Sequence, residues 1–301
     1  MTATTESTAP TAALSPDVAS LSVVRRAPRQ ARRWSLIAGG AMVVLVLLAA
    51  MLGPALAPYP PGDQLLELRL QPPGAAHLLG LDELGRDVLS RLLFGARVSL
   101  AVGVAVVLLA GALGTLIGAL SGYAGGAVDT LLMRLSDVVL AFPGILLAIA
   151  LVAVLGPALS HVVLALAVIG WVGYARLVRG QVLKLREEEF VLAARAAGMP
   201  ARRVVARHVL PNVLPLLIVQ ATLGMAGAVL AEAGLSFLGL GQPPPGASWG
   251  AMVNAGRAHL LDAPHVALFP GLAIVWTVLG LNFLGDGLVD LLDPRRRRTE
   301  T

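Results

Sequence analysis

Five long stretches of this sequence contain no charged residue, and they limit what the chain can fold into more than any other feature. They run over residues 34–62, 98–128, 138–175, 208–231 and 263–285. A helix needs about 20 apolar residues to cross the hydrocarbon core of a bilayer, where the backbone must satisfy its own hydrogen bonds. The stretches therefore predict a bundle of membrane-spanning helices.

The third stretch is long enough for two spans, with a turn at Gly156-Pro157 between them. We predict an all-α, polytopic membrane protein with six transmembrane helices, at about 35–57, 98–121, 133–155, 158–177, 211–233 and 266–287. The composition agrees, because 14% of the residues are charged against about a quarter in soluble domains. The first span is interpreted as a retained anchor, since its apolar segment exceeds the length typical of a cleavable signal peptide.

The basic residues lie mostly on one side of this predicted topology. All but five of the 23 Lys and Arg side chains fall before the first span, at Arg134, between spans four and five, or after the last span. The five on the opposite side are Arg69, Arg86, Arg91, Arg97 and Arg257. The positive-inside rule then places both termini in the cytoplasm. The net charge of +5 is interpreted as a consequence of topology rather than of nucleic-acid binding.

The chain is predicted to divide into four segments: a largely disordered cytoplasmic tail (1–34), the first span with an outer loop (35–97), a five-helix core (98–294) and a basic cytoplasmic tail (295–301). In the outer loop, Asp82 is expected to cap a short amphipathic helix whose apolar positions include Val88 and Leu92.

Span two contains three glycines spaced by four residues, Gly114, Gly118 and Gly122. This small-xxx-small pattern allows another helix to approach its backbone closely. Packing within the same bundle is favoured over a subunit interface.

Motifs of catalysis are absent from the sequence. The five histidines have no metal-ligand spacing, and the only lysine, Lys184, does not follow a glycine-rich phosphate-binding turn. We therefore predict no catalytic residue, no metal site and no cofactor in this chain.

Charged and polar residues inside the predicted spans are the remaining candidates for function. Asp137 lies three residues after Arg134 and is expected to pair with it. Glu232, near the outer end of span five, either lines a cavity or is solvated at the membrane interface. Together with Asn282, it is our candidate lining of a translocation path.

The segment from 185 to 211, called the connecting segment below, interrupts the apolar pattern with the sequence "LREEEFVLAARAAGMPARRVVARHVLP". It predicts a helix with an apolar face, a stop at Gly198, and a second helix that begins near Pro200. The predicted apolar face consists of Phe190, Ala193, Ala194 and Ala197. A face of this kind favours insertion into a protein groove, although anionic lipid headgroups also suit Arg203 and Arg207.

"AARAAG", followed by nine residues and "HVLP", resembles the EAA loop of ATP-binding-cassette (ABC) importer permeases. In that family the loop is the coupling helix that docks onto a separate ATPase subunit. The residues to which the resemblance assigns this role are Glu188, Glu189, Ala193, Ala194, Gly198, Arg203, Arg207, His208, Leu210 and Pro211. Leu192 occupies the position of the glutamate that gives the motif its name.

Further segments are similar to the dipeptide, oligopeptide and nickel branch of these permeases, and most closely to its C-type partner. They include "LGLDELGRDVLSRLLFGARVSL", "LAEAGLSFLGLG", "PPPGASWGAMV" and "NFLGDGLVDLLDPR". The resemblance implies the type I permease fold and a multi-pass location in the bacterial plasma membrane. It also implies a second permease as heterodimer partner, two ATPase subunits that bind ATP, and an extracytoplasmic solute-binding protein.

The implied function is to form half of the translocation pathway for di- and oligopeptides. Import of nickel or another small solute fits the same architecture. An ion-coupled secondary transporter and a membrane scaffold without transport activity are the alternatives from other classes. In the coupling interpretation, Gly198→Pro or a charge at Ala194 should uncouple ATP hydrolysis from uptake without unfolding the bundle.

Overall fold

A computed structural model describes residues 29–292, with side chains from residue 34 onward. The basic C-terminal tail and nearly all of the predicted N-terminal tail lie outside the described residues. The helices are α1 (Arg29–Leu56), α2 (Val88–Ala124), α3 (Gly126–Leu140), α4 (Gly144–Leu155), α5 (Leu159–Leu185), α6 (Glu189–Ala196), α7 (Ala201–Val204), α8 (Leu210–Phe237), α9 (Trp249–Gly256) and α10 (His265–Leu292).

Five of the predicted spans are confirmed as long apolar helices. They correspond to α1, α2, α5, α8 and α10, and each is long and apolar enough to cross a bilayer. The end of the bundle that carries the connecting segment is called the inner end, and the end that carries residues 57–87 the outer end. Helix α2 extends well beyond its predicted start, because residues 88–97 continue the same helix.

The predicted span at 133–155 is not one straight helix. Helices α3 and α4 cover it, and their axes are bent by 83° at the break between them. Pro143 explains the break, because it has no backbone N–H to continue a helix and it disfavours helical geometry at Phe142. Six spans therefore result only if this bent pair crosses the membrane as one unit.

Helices α2 and α5 pack with their backbones in close contact along the glycines of span two. A Cβ atom on Gly114 would lie 2.4 Å from the carbonyl oxygen of Trp171, and one on Gly118 would lie 2.4 Å from that of Ala175. These distances are too short for any side chain. The prediction that the small-xxx-small pattern packs within the bundle is confirmed.

Ion pairs attach α3 to α5 at the inner end. The guanidinium of Arg179 donates to both carboxylate oxygens of Asp129, at 2.5 and 2.6 Å. Arg176 donates to Asp137 at 2.7 Å. The predicted pair between Asp137 and Arg134 is therefore wrong, because the neighbouring helix supplies the cation.

Buried polar groups hold the outer loop against the start of α2. The backbone N–H of Ser90 donates to Asp87 at 2.8 Å, so Asp87 rather than Asp82 caps the helix. Asp82 accepts from the backbone N–H and the guanidinium of Arg86, at 2.9 and 2.7 Å. The separate amphipathic helix predicted here is not formed, because Val88 already lies in the first turn of α2.

The second outer loop, between α8 and α10, is attached to α2 through an aromatic side chain. The indole N–H of Trp249 donates to the backbone oxygen of Leu92 at 2.9 Å, and the indole lies against Gly95. Farther along the loop, His259 lies 3.2 Å from a carboxylate oxygen of Asp262, and this hydrogen bond lowers the pKa of that carboxyl group. The Trp249 indole therefore joins this loop to α2 at the outer end.

The α2–α5 contact predicts a sharp difference between two glycine substitutions. Gly118→Ala forces a Cβ into the backbone of α5 and should lower the free energy of unfolding by about 1–3 kcal/mol, as overpacking does. Gly227→Ala is the matched control, because a methyl group on this α8 glycine would have no other atom within 4 Å. Thermal unfolding of both purified variants in detergent compares them, and equal stabilities would contradict the close packing.

Candidate functional site

The connecting segment is built from two short helices and a π-helical turn. Helix α6 is followed by a turn at Gly198, then by α7, and then by one π-helical turn at Val205–Val209 that leads into α8. The turn is closed by the N–H of Leu210, which donates to the backbone oxygen of Val205. Pro211 has no N–H for a regular helical bond at this point. Turns of this kind are frequent at functional sites.

One side of the connecting segment is packed into the bundle. Val191 of α6 is fully buried with Val204 and Val209, and the same cluster contains Val178 and Val182 of α5. The cluster also includes Ala119 of α2. The segment is therefore attached to both of the closely packed helices, and a displacement of α6 has to move them or break this core.

The other side of α6 is apolar and exposed. Phe190 and Leu192 are 43% and 44% exposed, and Ala193, Ala196 and Ala197 are exposed beside them. The predicted apolar face is therefore correct at Phe190, Ala193 and Ala197. It is wrong at Ala194, which is partly buried and packs against the valine cluster. Glu188 and Glu189 lie exposed at the start of the helix.

Gly198 ends α6 in a Schellman motif. Its N–H donates to the backbone oxygen of Arg195 at 2.9 Å, and the N–H of Met199 donates to that of Ala194 at 3.1 Å. Gly198 has a φ of +79°, where glycine carries no Cβ penalty. The predicted stop is confirmed, and its cause is the left-handed backbone.

Of the five arginines in the connecting segment, Arg186 is partly buried and pairs with Glu187, and the other four are exposed: Arg195, Arg202, Arg203 and Arg207. Within the described part of the chain, none of the four has a carboxylate partner. His208 is partly buried, and its Nε2 atom is buried without a hydrogen-bond partner there. The inner end thus presents a positive surface next to the apolar face of α6.

A groove of about 1090 Å³ opens at the inner end between α2, α5 and α8. Its walls are almost entirely apolar, with the Tyr174 ring on one side. Ala201, Arg202 and Val205 of the connecting segment form its inner rim. We call it the inner groove. Its lining includes the segment that attaches α6 to the bundle, so a movement of α6 changes its shape.

A second cavity of about 640 Å³, the outer pocket, lies at the opposite end of the same helix. Phe94 and Arg97 of α2 face Ser160 at the start of α5 and the proline-rich loop after α8, including Gln242. Pro61 and Gly62 of the first outer loop complete the lining, so four separate outer elements meet at this pocket.

An exposed stripe on α2, called the open stripe, joins the two cavities. Its members recur every three or four residues and are all exposed: Arg97, Ala101, Val104, Leu108, Ala112 and Leu116. An α-helix rises by about 29 Å over this range, which is close to the hydrocarbon thickness of a bilayer. The open stripe is thus an uncovered side of a helix that is packed on α5 and on α8.

The two residues predicted to line a path lie elsewhere. Glu232 is fully buried and accepts hydrogen bonds from Ser99 at 3.1 Å and Ser236 at 2.6 Å. It therefore neither lines one of these two cavities nor is solvated at an interface. Asn282 donates to the backbone oxygen of Val278 in its own helix and lines neither cavity.

Sequence reasoning missed the open stripe, because α2 is apolar on every side and has no periodic polar face that would mark it. Arg97 is the only charged member of the stripe, and it was the only residue that could have indicated it from the sequence. Among the described residues, no group of three or more His, Asp and Glu side chains is arranged to hold a metal ion.

The Schellman motif predicts the effect of a substitution at Gly198. Gly198→Ala meets no atom within 4 Å, so its cost should be that of a left-handed residue alone, about 1–2 kcal/mol of unfolding free energy. Gly180→Ala in α5 is the control, since that glycine also has open space around it. Thermal melts in detergent test this, and an unchanged melt of Gly198→Ala would contradict the left-handed turn.

Comparisons with known proteins give consistent similarities. Residues 114–298 match the family described as binding-protein-dependent transport system inner membrane component. Residues 31–73 match the N-terminal transmembrane domain of oligopeptide transport permease C.

Curated relatives extend the similarity over most of the chain. A putative peptide transport system permease protein of Brucella suis is 47% identical over 97% of this chain and 98% of its own length. A dipeptide transport system permease protein of Alkalihalophilus pseudofirmus is 45% identical over 87% and 86%. A glutathione transport system permease protein of Pectobacterium atrosepticum is 44% identical over 86% of both chains.

Proposed function

The chain belongs to the family of binding-protein-dependent transport inner membrane components, and from this premise we propose that it forms half of a translocation pathway for di- and oligopeptides. The family resemblance inferred from the sequence is confirmed. Members are transport permease subunits of ABC importers and not enzymes. The peptide substrate is supported by relatives whose names state peptide or dipeptide transport.

The observation on which the proposal mainly rests is the two-sided packing of α6. One side is fixed to α2 and α5 through Val191, while the other presents Phe190 and Leu192 to solvent. An exposed apolar surface rimmed by charge is typical of a protein interaction site. In this proposal, an ATPase subunit binds the exposed side, and nucleotide-driven closure of the ATPases moves α6 together with its packed core.

The residues proposed for this coupling role divide into three groups. The contact surface is formed by Glu188, Glu189, Ala193, Arg203 and Arg207, which are exposed. The turn is formed by Gly198. Ala194, His208, Leu210 and Pro211 connect the surface to the core and to α8.

The open stripe supports the other half of the proposal. An exposed stripe that runs the length of a span and joins two cavities is a suitable wall for a path, but one chain covers only one side of it. A second, homologous permease that faces the stripe would enclose the path. We therefore propose a heterodimer with two ATPase subunits at the inner end and a solute-binding protein at the outer end.

The same arrangement sets the proposed orientation. The arginines of the connecting segment lie at the inner end, and cytoplasmic loops carry an excess of Lys and Arg. The inner end is therefore proposed to face the cytoplasm of a bacterial inner membrane, with both termini on that side. ATP would be bound by the partner subunits alone.

Two alanines of α6 provide a matched test of the coupling role. Ala193→Glu places a charge on the exposed side and should abolish most ATP-dependent uptake while leaving the thermal melt unchanged. Ala194→Glu buries the same charge against the valine cluster and should lower the melting temperature. The corresponding prediction from the sequence, which placed the uncoupling charge at Ala194, is therefore moved to Ala193.

The measurement is peptide uptake into vesicles that contain this chain with its permease, ATPase and binding-protein partners. ATP-dependent accumulation of a dipeptide by the wild-type complex is expected. Full uptake by Ala193→Glu in a complex of normal stability would refute the docking role of α6. Accumulation that needs an ion gradient instead of ATP would indicate a secondary transporter.

A further inference from the structure

Arg97 is a cation without a partner at the outer end of the open stripe. It is exposed and lines the outer pocket, and within the described part of the chain it forms no ion pair and no hydrogen bond. Arg69 is also exposed at this end, but it does not line the pocket. Arg86 and Arg91 pair with Asp82, and Arg257 lies 5.7 Å from the centre of an aromatic ring.

Gln242 gives the same pocket an unsatisfied acceptor. Its Oε1 atom is buried and has no hydrogen-bond partner among the described residues. The side-chain amide is packed on Gly246, where a Cβ atom would lie 2.3 Å from Cδ of Gln242. Because this atom is closed off from solvent, a rotation of the side chain has to bring it into the pocket before it can accept from the N–H group of a ligand, and its lack of a partner favours that rotation.

The rest of the lining is mainly apolar, apart from the hydroxyl of Ser160 at the start of α5. Phe94 and Leu159 contribute apolar side chains, while Pro61, Pro243 and Pro245 contribute rings and no backbone N–H. The guanidinium is therefore the dominant charge of the pocket. Its volume of about 640 Å³ lies within the range of small-molecule sites, about 300–1,000 Å³.

The end of a free peptide has the complementary groups. Its terminal carboxylate suits the planar fork of a guanidinium, which can donate two parallel hydrogen bonds to it. The last backbone N–H of the peptide is a donor that an amide oxygen accepts. Both groups are present in every unmodified peptide whatever its side chains, so one such pocket serves cargo of varied sequence.

We propose that Arg97 binds the C-terminal carboxylate of the transported peptide at the outer end of the open stripe, with Gln242 accepting a hydrogen bond from a backbone N–H of the peptide. This inference rests on the proposed function. It places the outer pocket where a peptide released at the outer end first contacts this chain. Arg97 is then a determinant of specificity for free peptides over peptides blocked at their C-terminus.

The test compares alanyl-alanine with its C-terminal amide in vesicles that contain the complete transporter. Both peptides are supplied at concentrations that saturate the binding protein, whose affinity for each is measured separately. Arg97→Gln should lower uptake of the free acid about tenfold, the factor expected for loss of a charge-assisted hydrogen bond. Uptake of the amide should fall less than about twofold, because the amide has no carboxylate for the guanidinium to bind.

Three further variants separate the contributions. Arg97→Lys keeps the charge without the fork and should lower uptake of the acid by an intermediate factor. Gln242→Leu should lower uptake of acid and amide alike, since both contain the backbone N–H. Arg257→Gln, at the outer end but outside the pocket, is the control and should leave both rates unchanged.

Two results would overturn the inference. Equal losses for acid and amide in Arg97→Gln would assign Arg97 to docking of the binding protein or to folding, and unchanged uptake of both would remove it from the path. If the wild-type complex imports peptides, either of these results for the Arg97→Gln variant leaves the proposed function intact. Failure of the wild-type complex to import any peptide with ATP is a different outcome and contradicts the proposed function itself.

Discussion

The close backbone contact between α2 and α5 is the constraint on which the rest of the bundle depends. Because glycines at 114 and 118 let the carbonyls of α5 approach, the two helices pack with little space for side chains between them. Farther along α2, Gly103 lies against Met225 and Val229 of α8. Helix α2 is thus covered by its own chain where it faces α1, α5 and α8, and the open stripe is left uncovered over about the thickness of a membrane.

The same contact gives the connecting segment its mechanical connection. At the inner end of the α2–α5 contact, Gly122 of α2 is close to Val182 of α5. Val182 belongs to the cluster that buries Val191 of α6. Interiors packed in this way transmit strain, because they have few voids that could absorb it. A force on α6 therefore acts on the pair of helices that carries both the inner groove and the open stripe. The coupling proposed for α6 needs no long flexible element.

The sequence was sufficient for what depends on local composition. Charge-free stretches predicted the spans, and the glycine–proline pattern predicted the turn at Gly198. It was insufficient where the partner of a charged side chain lies far away in the sequence. Glu232 is buried because Ser99, 133 positions away, meets its carboxylate, and Asp137 pairs across to α5. The open stripe could not be predicted for a third reason. Helix α2 is apolar on every side, so no periodic pattern distinguishes the faces that contact lipid, the rest of the protein or a translocation path.

Leu192 stands where the EAA loop, which this segment resembles, has its glutamate. This replacement changes the chemistry of the proposed docking surface more than the strength with which that surface would bind an ATPase. An ion pair at an exposed contact contributes about 0–1 kcal/mol, whereas burial of a leucine side chain contributes about 1.5–3 kcal/mol when it is complete. Leu192 and Phe190, 44% and 43% exposed, lie at the two edges of the exposed side of α6 with exposed alanines between them. An ATPase groove that covers this side therefore gains a largely apolar contact. Specificity then depends on the flanking charges, with Glu188 and Glu189 at one end of α6 and the unpaired arginines beyond Gly198 at the other. A cognate ATPase is therefore expected to present an apolar groove with charges of opposite sign at its two ends.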